Sequence, residues 1–209
     1  MPMMPTAAPL HYLALGDSYT IGESVPAEAR WPAQLVQQLR RSGVVIDDPR
    51  IVAVTGWTTD ELSAGMDNTP LAPRYDLVTL LIGVNDEYRG RPAAAYRGSF
   101  AVLLQRAIAL AGHHPDHVVV VSIPDWGITP FAHNDPRGAA GISMELDAYN
   151  AIAHEETVHA KAHWVDITAL SRQHPEMIAF DGLHPSAAQY TLWTQTILPV
   201  ARQALNSPH

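Results

Sequence analysis

Five short apolar runs, separated by stretches of helical spacing, constrain the fold of this chain more than any other feature. They are Tyr12–Leu15, Ile51–Val54, Leu77–Ile82, Val118–Ile123 and Trp164–Ile167. The first four run into Gly16, Gly56, Gly83 and Pro124. Unbroken apolar runs of this length read as strands buried on both faces, as in a parallel sheet. Between them, Pro32–Arg41 carries Leu35, Val36 and Leu39 on one helical face. Pro92–Ala111 repeats Phe100, Leu103, Leu104, Ala107, Ile108 and Ala111 and opens with proline in its first turn. Asp60–Met66, Ser143–Ala162 (with Ser143 as its N-cap) and Pro185–Ala204 complete the helical segments. Strand and helix in alternation predict one doubly wound α/β domain over residues 1–209, with right-handed crossovers and about five parallel strands. A chain of this length buries about 70% of its unfolded surface. Gly127–Gly141, rich in Gly, Pro, Asn and Asp, reads as a long loop of the kind that often carries function.

Ligands of such sheets bind beyond the carboxyl ends of the strands. Three polar segments sit there: Gly16-Asp17-Ser18-Tyr19-Thr20-Ile21-Gly22, Thr55-Gly56-Trp57-Thr58-Thr59 and Gly83-Val84-Asn85-Asp86. A fourth, Asp181-Gly182-Leu183-His184-Pro185-Ser186, precedes the last helix. A serine hydroxyl is a weak nucleophile and needs a base beside it. Histidine, with an ordinary pKa near 6.5, serves as that base once a carboxylate fixes its tautomer. Asp181, three residues before His184, lies within reach of the imidazole Nδ1. Acyl transfer also needs donors aimed at the developing oxyanion. The Ser18 N–H, the Gly56 N–H and the Asn85 side-chain amide are the candidates, and glycine at 56 permits close backbone approach.

These four blocks, in this order, resemble those of the SGNH hydrolases, the GDSL esterase/lipase family. The resemblance spans most of the chain. It implies a flavodoxin-like three-layer α/β/α sandwich and ester hydrolysis through an acyl-enzyme on Ser18, without metal or other cofactor. Asp181 and His184 complete the implied triad, and Ser18, Gly56 and Asn85 the oxyanion hole. One departure stands out: many members carry an asparagine shortly before the second-block glycine, where this chain has Val54 and Thr55. A thioesterase, lysophospholipase or carbohydrate deacetylase would use the same machinery, and a non-catalytic ligand-binding protein would share the outline.

Each block alone has a structural reading. Ser18 suits a helix N-cap, Asn85-Asp86 an Asx turn, and Asp181 and Ser186 ordinary capping. Asp17 and Asp86 read as loop fasteners, bonding backbone amides. Trp57, Trp126 and Phe131 are candidates for a substrate pocket, against a reading as packing residues. Arg89 and Arg91 read as solvated surface. Among eleven histidines, His154 and His159 are five residues apart, which turns a helix by about 140° and keeps the rings off one face. His113-His114-x-x-His117 lacks helical geometry for a metal site. No phosphate-binding or dinucleotide glycine motif is present.

The formal net charge of −8, with no basic cluster, argues against a nucleic-acid partner and leaves a small-molecule ester as the expected one. Absence of cysteine excludes disulfides and thiol chemistry. No apolar run reaches membrane-span length. Met1–Pro5 lacks a basic region leading into an apolar one, so no signal peptide is read and the expected location is cytoplasmic. Oligomeric state is left open.

Overall fold

The apolar runs pair into a single five-stranded parallel sheet. In the computed structural model, which describes residues 8–207, the strands are β1 (Tyr12–Gly16), β2 (Arg50–Ala53), β3 (Leu77–Leu81), β4 (Val118–Val121) and β5 (His163–Val165), in the order β2-β1-β3-β4-β5. Met1–Pro5 lies outside the described residues. β1, β3 and β4 are buried along their whole length, which is why their sequences are apolar except at Thr79, whose hydroxyl is hydrogen-bonded to that of Tyr12. The edge strands β2 and β5 admit Arg50, Ile51, His163 and Trp164 at less buried positions.

Among the described residues eight α-helices flank the sheet: α1 (Ser18–Ile21), α2 (Trp31–Arg41), α3 (Thr59–Asp67), α4 (Val84–Tyr88), α5 (Ala93–Leu110), α6 (Gly138–His159), α7 (Thr168–Gln173) and α8 (Ala187–Asn206). α2 packs on α8, while α3, α5 and α6 pack together, giving the three-layer α/β/α sandwich expected. No helix among the described residues is long and apolar enough to cross a membrane.

Two expectations need correction. α6 begins at Gly138, ahead of Ser143, so Ser143 lies inside the helix; its hydroxyl donates to Asp125 Oδ2 at 2.6 Å instead of capping. Gly127–Gly141 is accordingly not one irregular loop. It holds most of a 3-10 turn at Trp126–Ile128, another at Pro130–Asn134, and the first turn of α6. Gly138 and Gly141 weakened the helical signal there.

Parallel register levels the strand ends. Gly16 pairs with Ala53 on one side and Leu81 on the other. The strand order reverses at β1, and the gap between β1 and β3 is the switch point where doubly wound sheets bind ligands. Gly16 is required by contact: a Cβ there would stand 2.5 Å from the Leu81 carbonyl oxygen and closer still to Thr20 Oγ1. Asp17 then caps α1, its carboxylate accepting from Tyr19 N–H at 3.0 Å. Burial, opposed by that N–H and reinforced by the Asp86 charge, pushes Asp17 up to about 7.

Two outcomes are expected. Gly16→Ala should destabilise by about 1–3 kcal/mol in urea unfolding, because backbone rather than a flexible side chain must yield; an unchanged midpoint would contradict the tight contact. For Asp17, the folded pKa lies above the unfolded value of about 3.9, so folding takes up a proton between them and stability falls as pH rises from about 4 to about 7. Asp17→Asn should therefore gain on the wild type across that window, and a pH-independent difference would contradict it.

Candidate active site

A cleft of about 150 Å³ opens above the switch point and brings Ser18, Gly56, Asn85 and His184 to one wall system. Their positions follow from the level strand ends. Ser18 comes two residues after Gly16, Gly56 three after Ala53 and Asn85 four after Leu81. Ser18 is the first residue of α1 and is buried apart from the face it turns to the cleft. Gly56 has a φ of 88°, and a Cβ there would meet nothing within 4 Å. The Ser18 and Gly56 N–H groups make no hydrogen bond among the described residues. Asn85 Nδ2 donates to the Trp57 carbonyl at 2.9 Å. Its second hydrogen remains for another acceptor.

His184 enters the cleft from the segment before α8. Its Nδ1 lies 2.6 Å from Asp181 Oδ2. Asp181 Oδ1 accepts from the Leu183 and His184 N–H groups at 2.9 Å each, which ties the carboxylate to the loop bearing the imidazole. Ser24, 157 residues away in sequence, donates to Asp181 Oδ2 at 2.6 Å, from a left-handed backbone with φ 66°. Partial burial opposes ionisation, but the bonds from Ser24, His184 and the two backbone amides hold the Asp181 carboxyl down to about 2. The Tyr19 ring meets the imidazole edge-on, with centroids 5.7 Å apart. Ser18 and His184 line the same cleft, with no direct hydrogen bond between them among the described residues.

The far wall is aromatic. Trp126 and Phe131 line the cleft, joined by Tyr88. The Trp126 indole N–H donates to Glu87 Oε2 at 2.8 Å, and Arg137 bonds the other oxygen of that buried carboxylate while its guanidinium covers the indole face. Phe131 N–H donates to the Gly182 carbonyl at 3.0 Å, linking this wall to the His184 segment. Trp57 is not part of the cleft. Its ring packs on α3 where Gly65 leaves no Cβ in the way.

Asp17 and Asp86 fasten loops, as their sequence setting suggested. Asp86 accepts from Thr59 N–H at 2.9 Å and Thr59 Oγ1 at 2.8 Å, joining α4 to the start of α3. The two arginines are more than solvated surface. Arg91 pairs with Asp86 and Asp60, and Arg89 donates to the Gly56 carbonyl at 2.7 Å and to Glu61 at 3.1 Å. Ser24, Tyr19, Glu87 and Arg89 are thus contributors that the sequence did not single out for these roles. At the amino end of β4, His114, Asp116 and His117 bring ligand atoms within 4.8 Å of one another. His117 is buried, with Nδ1 on the Asp76 carbonyl at 2.8 Å.

Known proteins resemble the chain in sequence and in fold. Residues 14–192 match the model of the GDSL-like lipase/acylhydrolase family. An arylesterase of Vibrio mimicus is 27% identical over 178 residues, covering 83% of this chain and 78% of the relative. Among solved structures, TesA superposes with a TM-score of 0.71 at 20% identity, covering 93% of this chain and 99% of that one. The acetylxylan esterase Axe2 of Geobacillus stearothermophilus gives 0.71 at 19% identity, covering 98% of each chain. At such identities the superpositions speak for the fold. The family match covers most of the sequence, and the chain belongs to the GDSL-like lipase/acylhydrolase family of carboxylic ester hydrolases.

Proposed function

We propose that the chain hydrolyses carboxylic esters through an acyl-enzyme on Ser18. The observation that carries this reading is the convergence, in one cleft, of the Ser18 hydroxyl, the Asp181-bonded His184 and three free donor hydrogens. Ser18 Oγ attacks the acyl carbon as His184 Nε2 takes its proton. The carbonyl oxygen becomes an oxyanion, accepting from the Ser18 N–H, the Gly56 N–H and Asn85 Nδ2. The tetrahedral adduct collapses, the acyl–oxygen bond breaks, and His184 returns the proton to the leaving alcohol. Water then attacks the acyl-enzyme with His184 again as base. Asp181, ionised throughout the working range, holds the imidazole tautomer and balances the transient imidazolium. No step calls on a metal or cofactor.

Size and lining set the substrate class. A cavity of about 150 Å³ holds one benzene-sized group. With Tyr88, Trp126 and Phe131 along its wall, the cleft suits a short acyl chain or an aryl group. The arylesterase relative points the same way. A long lipid acyl chain would have to run out through the open side of the cleft. Oxygen esters, thioesters and acetylated sugars compared side by side separate the remaining leaving groups.

Initial rates on p-nitrophenyl esters from acetate to decanoate should peak among the short chains. A maximum at decanoate would refute the size argument. Ser18→Ala should lower kcat by about 10⁴-fold or more and abolish labelling by a fluorophosphonate. Residual turnover near wild type would remove Ser18 as nucleophile. Asp181→Asn keeps the shape but loses the charge and the preferred tautomer, so kcat should fall by about 10⁴-fold with KM little changed. Wild-type kcat in that variant would remove Asp181 from the triad.

A further inference from the structure

Gly56 is held in place by polar contacts rather than packing. A methyl group at its α-carbon would touch nothing, and glycine can adopt both signs of φ at little cost. It is the third residue of a turn closed by Trp57 N–H on the Val54 carbonyl at 3.2 Å, and its φ of 88° is that of a type II turn. Without restraint, the peptide carrying the Gly56 N–H is free to rotate. On the near side, Thr55 Oγ1 is anchored to Glu23. On the far side, two successive carbonyls are anchored by one element: Asn85 bonds the Trp57 carbonyl at 2.9 Å, and Arg89 bonds the Gly56 carbonyl at 2.7 Å. Arg89 is the C-cap of α4, its N–H on the carbonyl of Asn85 one turn earlier, and so the two side chains leave on one side of the segment. Arg89 is itself braced by Glu61, whose other oxygen caps Thr58 N–H at the start of α3.

We infer that Arg89 is a positioning residue for the oxyanion hole. Its guanidinium fixes the Gly56 carbonyl and thereby directs the Gly56 N–H into the cleft. The N–H and C=O of one residue are linked through a single α-carbon with only φ and ψ free, so fixing one direction restricts the other. A guanidinium donates through two arms in a rigid fork, which lets Arg89 span Gly56 and Glu61 at once. Arg89 does not line the cleft, so it acts through Gly56 and not on the substrate. The inference rests on the proposed role of Gly56 N–H as an oxyanion donor.

The test compares wild type, Arg89→Ala and Arg89→Lys on a short-chain p-nitrophenyl ester, with fluorophosphonate labelling of Ser18 and a thermal melt for each. Arg89→Ala should lower kcat by about 10- to 100-fold, less than loss of a donor outright costs, with KM within about twofold of wild type. Labelling should slow in proportion. Guanidinium chloride, far below denaturing concentration, should restore part of kcat where equal sodium chloride does not. Arg89→Lys should fall between the two, since an ammonium cannot fork. Unchanged kcat, a rise in KM alone, or a kcat loss that guanidinium does not relieve would overturn the assignment. If Arg89→Ala fails to fold, Arg89→Lys carries the test, and a wild-type kcat there overturns it equally. A wild type without Ser18-dependent turnover would instead defeat the acyl-enzyme reading, whereas Ser18-dependent turnover indifferent to Arg89 defeats only this one.

Discussion

The level row of Gly16, Ala53 and Leu81 across β2, β1 and β3 is the constraint on which the site depends. For strands buried on both faces, an apolar pattern alone specifies register weakly, because a one-residue slip exchanges one set of apolar side chains for another. Gly16 removes that freedom. Its α-carbon approaches the Leu81 carbonyl so closely that any side chain would intrude, which ties the end of β1 to the end of β3. Short offsets along three separate segments then become proximity in space. Ser18, Gly56 and Asn85 meet because each lies a few residues beyond a common edge, at the place where the strand order turns back.

Buried carboxylates then fix what the edge brings together. Asp86 joins α4 to α3, Glu87 joins α4 to the Trp126 wall, and Asp125 joins the end of β4 to Gly127, α6 and α7. Such groups lose hydration on burial, and their bonds only partly offset that loss, so they contribute position more than stability. The loss is visible in the directions of their pKa values, since burial raises Asp17, Asp86 and Glu87 alike. Asp181 goes the other way. It is partly exposed and accepts from Ser24, His184 Nδ1 and two backbone amides, so it keeps its charge beside the imidazole. The carboxylate that faces His184 is thus the one built to stay ionised.

Much of this was legible in the sequence, for a physical reason. Strands buried on both faces are apolar wherever no hydrogen-bond partner is at hand, as Tyr12 is for Thr79, and the strands fall within the five apolar runs or one residue outside them. That Ser18, Gly56, Asn85 and His184 share a cleft, with Asp181 on His184, was readable from their places just past strand ends and at a helix mouth, where such a fold gathers polar groups. Trp126 and Phe131 reached the cleft, but Trp57 turned to α3, since the space above Gly65 accepts its ring. α4 and α7 were too short to show a period, and the glycines at 138 and 141 hid the start of α6. The supporting polar residues were out of reach. Ser24, Glu87 and Arg89 act on partners 157, 39 and 33 residues away, and no local pattern encodes such pairings.

The placement of Asn85 in α4 and of Arg89 as its C-cap bears on how the donors of the proposed oxyanion hole are arranged. An oxyanion hole stabilises a transition state only if its donors are already oriented when charge develops. Here two of the donors come from different strand ends and would drift independently if each were held by its own loop. α4 couples them. Its Asn85 amide supplies a donor hydrogen while gripping the Trp57 carbonyl, and one turn later Arg89 grips the carbonyl of Gly56. Both bonds tie the turn at 54–57 to the α4 segment. Asp86, on the same helix, bonds the Thr59 backbone just beyond that turn and closes the connection from the other end. On the proposed reading, α4 and its cap residue thus hold both donors from one short segment.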